Sequence, residues 1–317
     1  MKQFVSRISL FLLFVFLGGL LIETALLTRE NEYSYKYSYL QKNKNNIECL
    51  ILGASVSSNG INPHLISAKC FNAAIEGRPI YYDYAIAREF VPQMKKLRCV
   101  VLTLTPSQLY RNYKYVVKSS LSANNSDPAY RSMHLKYMGL RFDWKDAFYY
   151  METINSYYYY MGRFFNSDEE NRNCDTLGYQ ELNKEHVNDA WRTAHVINTI
   201  DYQDKNVDFA VEENISYLKE LSEVCQDNNV RLIILWPPFH KAGRAQVNDV
   251  DKHYFKQCIS ELTKSKGVEF YNFENDARFD KDEYFYNPTH LNSKGTDIFT
   301  RIIDNIVMNN NTTNPTI

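Results

Sequence analysis

One serine and one histidine, far apart in the chain, have the surroundings that nucleophilic chemistry needs. Ser55 follows the apolar run Cys49–Leu52 in the turn Gly53-Ala54-Ser55, and His290 lies in Asn287-Pro288-Thr289-His290. A serine hydroxyl becomes a nucleophile when a base within hydrogen-bond reach takes its proton, and histidine is the usual base. Taken alone, each has a plainer role, since a serine often caps a helix or forms a turn. Together they predict a serine acyl-enzyme, provided that the fold brings them together.

The elements that must position this pair are predicted by short apolar runs that end at turn residues. Five such runs predict strands: Cys49–Leu52, Cys70–Ala74, Arg98–Leu104, Arg231–Trp236 and Val268–Phe273. Amphipathic patterns between them predict helices: Pro79–Leu97, Val207–Asp227, Asp249–Lys266 and Asn292–Met308. Continuous apolar strands that alternate with helices are typical of a parallel sheet covered on both faces. The predicted fold class is therefore α/β, a doubly wound, mostly parallel five-stranded sheet.

This sheet would bring the serine and the histidine to one edge. In doubly wound sheets, ligands bind outside the carboxyl ends of the strands. Ser55 follows the first predicted strand and His290 follows the fifth, so both belong to that edge. Residues from about 110 to 206, which include Tyr157–Tyr160, are aromatic and polar and predict an irregular, partly helical insertion. Connections of this length are usually functional, so the insertion is a candidate cover for the site.

The amino terminus predicts a membrane anchor. Lys2 and Arg7 precede an apolar run that continues to Leu27, about the 20 residues that a spanning helix needs. Positive residues before the run predict a cytoplasmic amino end and a periplasmic or extracellular body. A cleaved signal peptide is the alternative, but no small-x-small cleavage site follows the run. The domain prediction is an anchor over 1–28, a polar linker over 29–47, one domain over 48–308 and a disordered tail over 309–317.

Charge and cysteine spacing exclude several other functions. The net charge of -1 gives no basic footprint for nucleic acid. No CxxC pair occurs among the six cysteines, and no metal or nucleotide motif is present, so no cofactor is predicted. Cys49, Cys70 and Cys99 open apolar strands, which favours buried thiols, although an exported domain permits disulfides. The pairing of the cysteines is left open.

Three short motifs resemble those of the SGNH (GDSL-like) hydrolase superfamily. Gly53-Ala54-Ser55 resembles its first block, Asn72–Gly77 its second, and Asn287–His290 its fifth. The resemblance covers roughly residues 48–108 and 208–308. It implies that Ser55 is the nucleophile and His290 its base, and that the backbone N–H groups of Ser55 and Gly77 form the oxyanion hole. From the residues alone, Gly77 could equally be a turn before a helix.

The chain departs from the superfamily pattern at two places. Asn287 stands where the family has an aspartate, and it can orient the His290 ring but brings no charge. The third block, normally Gly-x-Asn, reads Thr105-Pro106-Ser107-Gln108, so Ser107 and Gln108 are the candidate side-chain donors to the oxyanion hole. Three carboxylates near His290 in sequence could replace the missing one: Asp280, Asp282 and Glu283.

Two other polar residues could line or support the predicted site. His240, after the fourth predicted strand, could line the pocket, and Asn72 could fix the turn around Ser55 rather than touch substrate. The other histidines belong to no constellation and are interpreted as surface or packing residues: His64, His134, His186, His195 and His253.

The layout of one span and an exported SGNH-like domain resembles the accessory proteins of cell-envelope O-acylation. The resemblance implies an O-acyltransferase or an esterase that acts on a cell-envelope polysaccharide or another acyl ester, with a polytopic membrane acyltransferase as a possible partner. The tyrosine-rich insertion favours a carbohydrate, because aromatic faces stack on sugar rings. The alternative is a catalytically weak or inactive glycan-binding or scaffold protein, because Asn287 replaces the usual carboxylate.

Overall fold

The computed structural model describes residues 2–112, 133–140, 167–182 and 206–309. Its helices are α1 Lys2–Thr28, α2 Glu32–Asn43, α3 Ser55–Ser58, α4 Ile80–Phe90, α5 Asp168–Arg172, α6 Asn206–Asp227, α7 Lys241–Arg244, α8 Asp249–Leu262 and α9 Ser293–Met308. Its strands are β1 Cys49–Leu52, β2 Cys70–Asn72, β3 Cys99–Thr103, β4 Arg231–Trp236, β5 Val268–Asn272, β6 Phe285–Asn287 and β7 His290–Leu291. Residues 133–137 are also helical.

Five of the strands form one parallel sheet, in the order β2-β1-β3-β4-β5. Cys49 of β1 pairs with Cys70 on one side and with Cys99 on the other, which aligns the three strands at their amino ends. The chain therefore crosses from one side of β1 to the other between β2 and β3. The predicted doubly wound α/β fold is confirmed.

Both faces of the sheet are covered, which explains why most residues of its inner strands are apolar. Alternate residues of a strand point to opposite faces. Leu50 and Leu52 of β1 belong to a core that includes residues of α2, α4, α6 and α8. Cys49 and Ile51 belong to a second core, with residues of α9 and of the segment 61–68. All four strand residues are fully buried.

The ends of the helices follow from local chemistry. Pro92 lies just beyond α4, and the helix ends at Phe90 rather than at the predicted Leu97 because proline cannot donate the next helical hydrogen bond. At the start of α9, the side chain of Asn292 accepts a hydrogen bond from the backbone N–H of Gly295 and caps the helix.

Helix α1 is long and apolar enough to cross a membrane, and a signal sequence would meet the same criterion. Most of its apolar side chains are exposed, but its last turns contact the domain. Leu26 is buried, and Glu23 forms a 2.7 Å ion pair with Lys136. The end of α1 is therefore attached to the domain by both an apolar and a polar contact.

The segment predicted to be a linker, residues 29–47, instead contains helix α2. Tyr33, Lys36 and Leu40 recur at helical spacing and are buried against the domain, and the side chain of Asn31 caps the helix. The high tyrosine, lysine and asparagine content hid this pattern in the sequence, because it resembles a solvated segment. The domain consequently begins at α2, directly after α1, and not at residue 48.

Most of the predicted insertion, and nearly all of the predicted tail, lie outside the described residues. Two described parts of the insertion, residues 133–140 and 167–182, pack on the domain. Met133, Leu135 and Met138 are buried in the core that includes α2 and α4. The backbone carbonyl of Leu177 accepts a hydrogen bond from the N–H of Asn72, at the outer edge of β2.

All six cysteines are free thiols. Cys49, Cys70 and Cys99 are buried side by side at the amino ends of their strands, as the sequence favoured. Burial raises the pKa of Cys225 and of Cys258, each to about 12, which keeps these two thiols protonated and unreactive.

We expect Lys36→Ala to destabilise the whole domain, not only α2. Lys36 is fully buried, pairs with Glu32 at 2.8 Å and donates a hydrogen bond to the carbonyl of Ala74. Its removal leaves the buried Glu32 carboxylate unpaired, which costs about 3 to 5 kcal/mol in unfolding free energy. Urea unfolding of the detergent-solubilised chain measures this. Lys219→Ala, which breaks an exposed pair with Glu261, should change little. An equal, small effect of both substitutions would mean that α2 is not part of the folded domain.

Candidate active site

Ser55 is held at the carboxyl end of β1 by a turn that requires glycine. The strand ends at Leu52, and Ser55 is the first residue of α3. Gly53 between them has a φ of +120°, which side-chain-bearing residues rarely adopt. A Cβ at this position would lie 2.6 Å from Ser57 Oγ and 3.2 Å from the carbonyl oxygen of Thr103. The glycine therefore allows the chain to turn tightly between β1 and β3 and to present Ser55.

Hydrogen bonds on the buried side of the Gly53–Ser55 turn hold it in place. Ser57 Oγ donates to the carbonyl of Leu52 at 2.7 Å, and Ser57 Oγ and Thr103 Oγ1 are 2.6 Å apart. Asn72 Nδ2 donates to the carbonyls of Ser57 and Ile61. Asn72 thus stabilises the turn around Ser55, in agreement with the structural role considered for it from the sequence.

His290 is presented by the antiparallel hairpin β6–β7, which follows β5 and packs beside α3. The side chain of Asn287 organises the hairpin turn, because its Oδ1 accepts hydrogen bonds from the backbone N–H groups of Thr289 and His290, both at 3.0 Å. This is the local Asx geometry that asparagine and aspartate share. The hairpin could not be predicted from the pattern of apolar residues, because its strands are only three and two residues long.

The structure brings Ser55, His290 and Asn287 into one hydrogen-bonded chain. His290 Nε2 lies 2.8 Å from Ser55 Oγ, and His290 Nδ1 lies 2.9 Å from Asn287 Oδ1. Because Asn287 Oδ1 already accepts from two backbone N–H groups, the amide orientation is determined and Nδ1 must carry the proton. Nε2 then has a free lone pair to accept the Ser55 hydroxyl proton. This tautomer is the one that a general base needs.

The three carboxylates considered as substitutes for the missing aspartate pair with other residues. Asp282 Oδ1 contacts His240 Nε2 at 2.8 Å, Asp280 pairs with Arg244 at 3.6 Å, and Glu283 pairs with Lys281 at 3.8 Å. The ring nitrogen that orients His290 therefore contacts the neutral Asn287 and the hydroxyl of Thr289.

His240 supports the turn that carries His290 instead of presenting its ring to the site. Its side chain is buried, its Nδ1 accepts from the N–H of Ala242, and its backbone N–H donates to the carbonyl of Pro288 at 3.0 Å. A Cβ on Gly243 would lie 2.4 Å from that same carbonyl oxygen. The loop after β4 is thus fitted closely under the turn that carries His290.

Four groups were predicted to form the oxyanion hole, and the structure describes all of them. The backbone N–H groups of Ser55 and Gly77 make no hydrogen bond to any described residue. Gln108 is buried and its Oε1 accepts from the N–H of Thr105, which leaves its Nε2 without a partner among the described residues. Ser107 Oγ contacts Thr105 Oγ1 at 3.3 Å. The roles of these donors stay predictions.

A buried ion pair behind the turn did not follow from the sequence. Gly53 N–H donates to Asp83 Oδ1 at 3.0 Å, and Arg78 Nη1 donates to the same oxygen at 3.2 Å. Arg78 Nε contacts His134, whose ring stacks on Tyr82. Burial raises the pKa of the Asp83 carboxyl, and Arg78 opposes this shift. The sequence does carry one indication of this buried pair, because its charged residues lie in the otherwise apolar stretch Ala73–Phe90.

The remaining histidines have other surroundings. His64 is exposed and pairs with Asp175, and His253 packs edge-on to Tyr254. His134 is fully buried, in agreement with a packing role, and also contacts Arg78. His186 and His195 lie outside the described residues. Within the part of the chain that the structure describes, no group of three histidine, cysteine or acidic side chains could hold a metal ion.

Among the comparisons with known proteins, only the comparison with solved structures finds matches. No protein-family model and no curated protein matches the chain. A GDSL-like lipase from Bacteroides thetaiotaomicron is 11% identical, with a TM-score of 0.40, over 87% of this chain and 98% of that one. An acetylxylan esterase from Geobacillus stearothermophilus is 10% identical, with a TM-score of 0.37, over 84% of this chain and 95% of that one. The matches include the GDSL-like class that the sequence motifs resemble. At these TM-scores the matches carry no argument of their own: the fold follows from the order of the strands, and the chemistry below depends on the geometry of Ser55 and His290.

Proposed function

We propose that this protein is a membrane-anchored, exported SGNH-like serine acyl-enzyme, either an O-acyltransferase or an esterase. The observation that carries the proposal is the 2.8 Å contact between Ser55 Oγ and His290 Nε2, in the tautomer that accepts the serine proton. The contact joins residues 235 positions apart at the carboxyl edge of the sheet, where doubly wound folds bind ligands.

The first half of the reaction uses the groups already in place. Ser55 Oγ attacks the carbonyl carbon of an acyl ester while His290 Nε2 takes its proton. The N–H groups of Ser55 and Gly77 stabilise the oxyanion, and each such donor is typically worth about 10²–10³ in rate. His290 then gives the proton to the leaving oxygen as the carbon–oxygen bond of the ester breaks. The acyl group remains on Ser55 as an ester.

The second half distinguishes a transferase from an esterase. A sugar hydroxyl or a water molecule attacks acyl-Ser55, and His290 Nε2 takes the proton of the attacking group. The tetrahedral intermediate collapses, Ser55 Oγ recovers the proton from His290, and the acylated acceptor or the free acid leaves. The same residues serve both reactions, so the acceptor alone decides between them.

A cell-envelope polysaccharide is the proposed substrate class, and α1 is the proposed anchor. Lys2 and Arg7 before the apolar residues of α1 support a cytoplasmic amino end, and with it the proposal that the Ser55 site faces the outer side. Acyl esters on the outer side of a membrane are carried by envelope glycans and lipids. A polytopic membrane acyltransferase that supplies the acyl group is a possible partner in this proposal.

A non-catalytic glycan-binding or scaffold role is the second candidate, and Asn287 is the observation that favours it. A neutral amide cannot stabilise the imidazolium that forms when His290 takes a proton. In this role, the same edge of the sheet would bind a glycan without turnover.

The test is the formation of an acyl-enzyme at Ser55. The detergent-solubilised chain is exposed to 4-nitrophenyl acetate, and the acetyl adduct is measured by intact-protein mass and located by peptide mapping. We expect one adduct, on Ser55, that is absent in Ser55→Ala. Ser58→Ala is the matched control, because Ser58 lies in the same helix and its buried hydroxyl has no hydrogen-bond partner in the described parts of the chain. A folded wild-type protein with no adduct at Ser55 would contradict the acyl-enzyme and favour the glycan-binding role.

A further inference from the structure

Gly53 is the point at which the serine turn and the predicted oxyanion loop are joined. Its carbonyl accepts a hydrogen bond from the N–H of Ile75 at 3.2 Å, which ties β1 to the loop that leads to Gly77. Its N–H donates to the buried carboxylate of Asp83 at 3.0 Å. Both backbone groups of the residue that shapes the turn are therefore used, one by the oxyanion loop and one by α4.

The Asp83 carboxylate connects these two parts a second time. Arg78, which directly follows Gly77, donates through Nη1 to the same Oδ1 that accepts from Gly53. The Asp83 side chain is 1% exposed and the Arg78 side chain is not exposed at all, so solvent cannot replace either contact. One oxygen atom thus fixes the position of Gly53, two residues before the nucleophile, and of Arg78, one residue after the oxyanion donor.

We propose that Asp83 is a positioning residue for the acylation of Ser55, acting through the N–H of Gly53 and through Arg78. The inference rests on the proposed function, since it concerns the geometry of that reaction. A nucleophile and its oxyanion donors must keep their relative position, and a displacement of about 1 Å can cost about 10² in rate. Asp83 contacts neither the substrate nor the reacting atoms.

Two substitutions of Asp83 can distinguish the effect of its hydrogen bonds from the effect of its negative charge. Both donors use Oδ1, whereas Oδ2 is buried and has no hydrogen-bond partner among the described residues. In Asp83→Asn, the amide oxygen can replace Oδ1 and keep both hydrogen bonds. In Asp83→Leu, which has a similar shape, both are lost. Each variant leaves Arg78 without an anionic partner, so both lose stability for that reason.

The experiment compares the rate of Ser55 acetylation by 4-nitrophenyl acetate in the two folded variants of the full chain. We expect Asp83→Asn to react within about threefold of the wild type and Asp83→Leu to react more slowly by about tenfold or more. Should Asp83→Leu fail to fold, Arg78→Met is added to both variants, because removal of both charges of a buried pair is often tolerated. In that background Arg78 no longer donates, so the comparison tests the Gly53 hydrogen bond alone, and we still expect Asp83→Leu to react more slowly than Asp83→Asn.

The control is a partly buried ion pair near the amino ends of the strands, at the opposite end of the sheet from Ser55. Arg231, the first residue of β4, pairs with Glu269 at 2.7 Å. Glu269→Gln should lower the melting temperature and leave the acetylation rate of the folded protein unchanged. An equal loss of rate in Glu269→Gln, or wild-type reactivity in Asp83→Leu, would overturn the positioning role. Absence of any Ser55 adduct in the wild type would overturn the proposed function, and the inference with it.

Discussion

Asn287→Asp should raise the rate of Ser55 acylation by about tenfold to a hundredfold. When His290 takes the serine proton, the acceptor 2.9 Å from Nδ1 of the resulting imidazolium is the neutral amide oxygen Oδ1 of Asn287. Aspartate has the same shape and adds a negative charge to that oxygen. The added charge stabilises the cation in the transition state more than the neutral ring in the ground state, so it acts on the rate.

The expected gain is smaller than the factor of about 10⁴ that an aspartate-to-asparagine change costs in serine proteases, where the amide selects the wrong histidine tautomer. Here the tautomer is already correct. The backbone N–H groups of Thr289 and His290 hold the amide oxygen of Asn287 toward Nδ1. Aspartate would accept the same hydrogen bonds, so the turn should not change. The increase in rate therefore comes only from the added negative charge, and not from a change of tautomer.

The measurement is the rate of adduct formation with 4-nitrophenyl acetate in Asn287→Asp and in the wild type. Asn248→Asp is the matched control, because Asn248 caps α8 with its side-chain oxygen and aspartate caps equally well. It adds the same charge to the protein without contact to His290. An unchanged rate in a folded Asn287→Asp would show that the missing carboxylate does not limit this site.

The sheet could be predicted from the sequence because four of its five strands, β1 to β4, are almost entirely buried on both faces. A continuous apolar run needs no knowledge of its neighbours to be recognised, and the bounds of Cys49–Leu52 and Arg231–Trp236 agree with the structure residue for residue. Helices with one apolar face were also recognisable, and α6 and α9 begin within one residue of the prediction. Ends that depend on a local signal, such as Pro92 after α4, were the least accurate.

The meeting of Ser55, His290 and Asn287 could be predicted because topology alone brings the ends of parallel strands together. The supporting residues could not. Asp83 contacts Gly53 across 30 positions and Arg78 contacts His134 across 56, and no local pattern marks either contact. Lys36 gives the same lesson, since its burial depends on the carbonyl of Ala74, 38 positions away. Charged residues that are buried through distant partners look like surface residues in a sequence.

The order of elements at the amino terminus changes the expected relation between the site and the membrane. A linker over 29–47 would have allowed the domain to move freely on its anchor. Instead, α2 follows α1 after three residues and is capped by Asn31, and Lys36 of α2 reaches the loop that leads to Gly77. If α1 spans the membrane, the Ser55 site is held at a fixed height and orientation above it, which suits a substrate presented at the membrane surface.

His290→Ala should lower the rate of Ser55 acylation by about 10²–10⁴, the usual contribution of general-base catalysis. Residual reactivity should remain, since the N–H groups of Ser55 and Gly77 stay in place. His290 is partly exposed, so its removal opens a cavity beside Ser55 Oγ that solvent and small molecules can enter. Added imidazole should therefore restore part of the rate in His290→Ala, and a purely structural role for His290 predicts no such rescue. His253→Ala removes an exposed histidine of α8 and should keep the wild-type rate without imidazole. Equal rates in the two variants would show that His290 is not the base, despite its 2.8 Å contact with the serine.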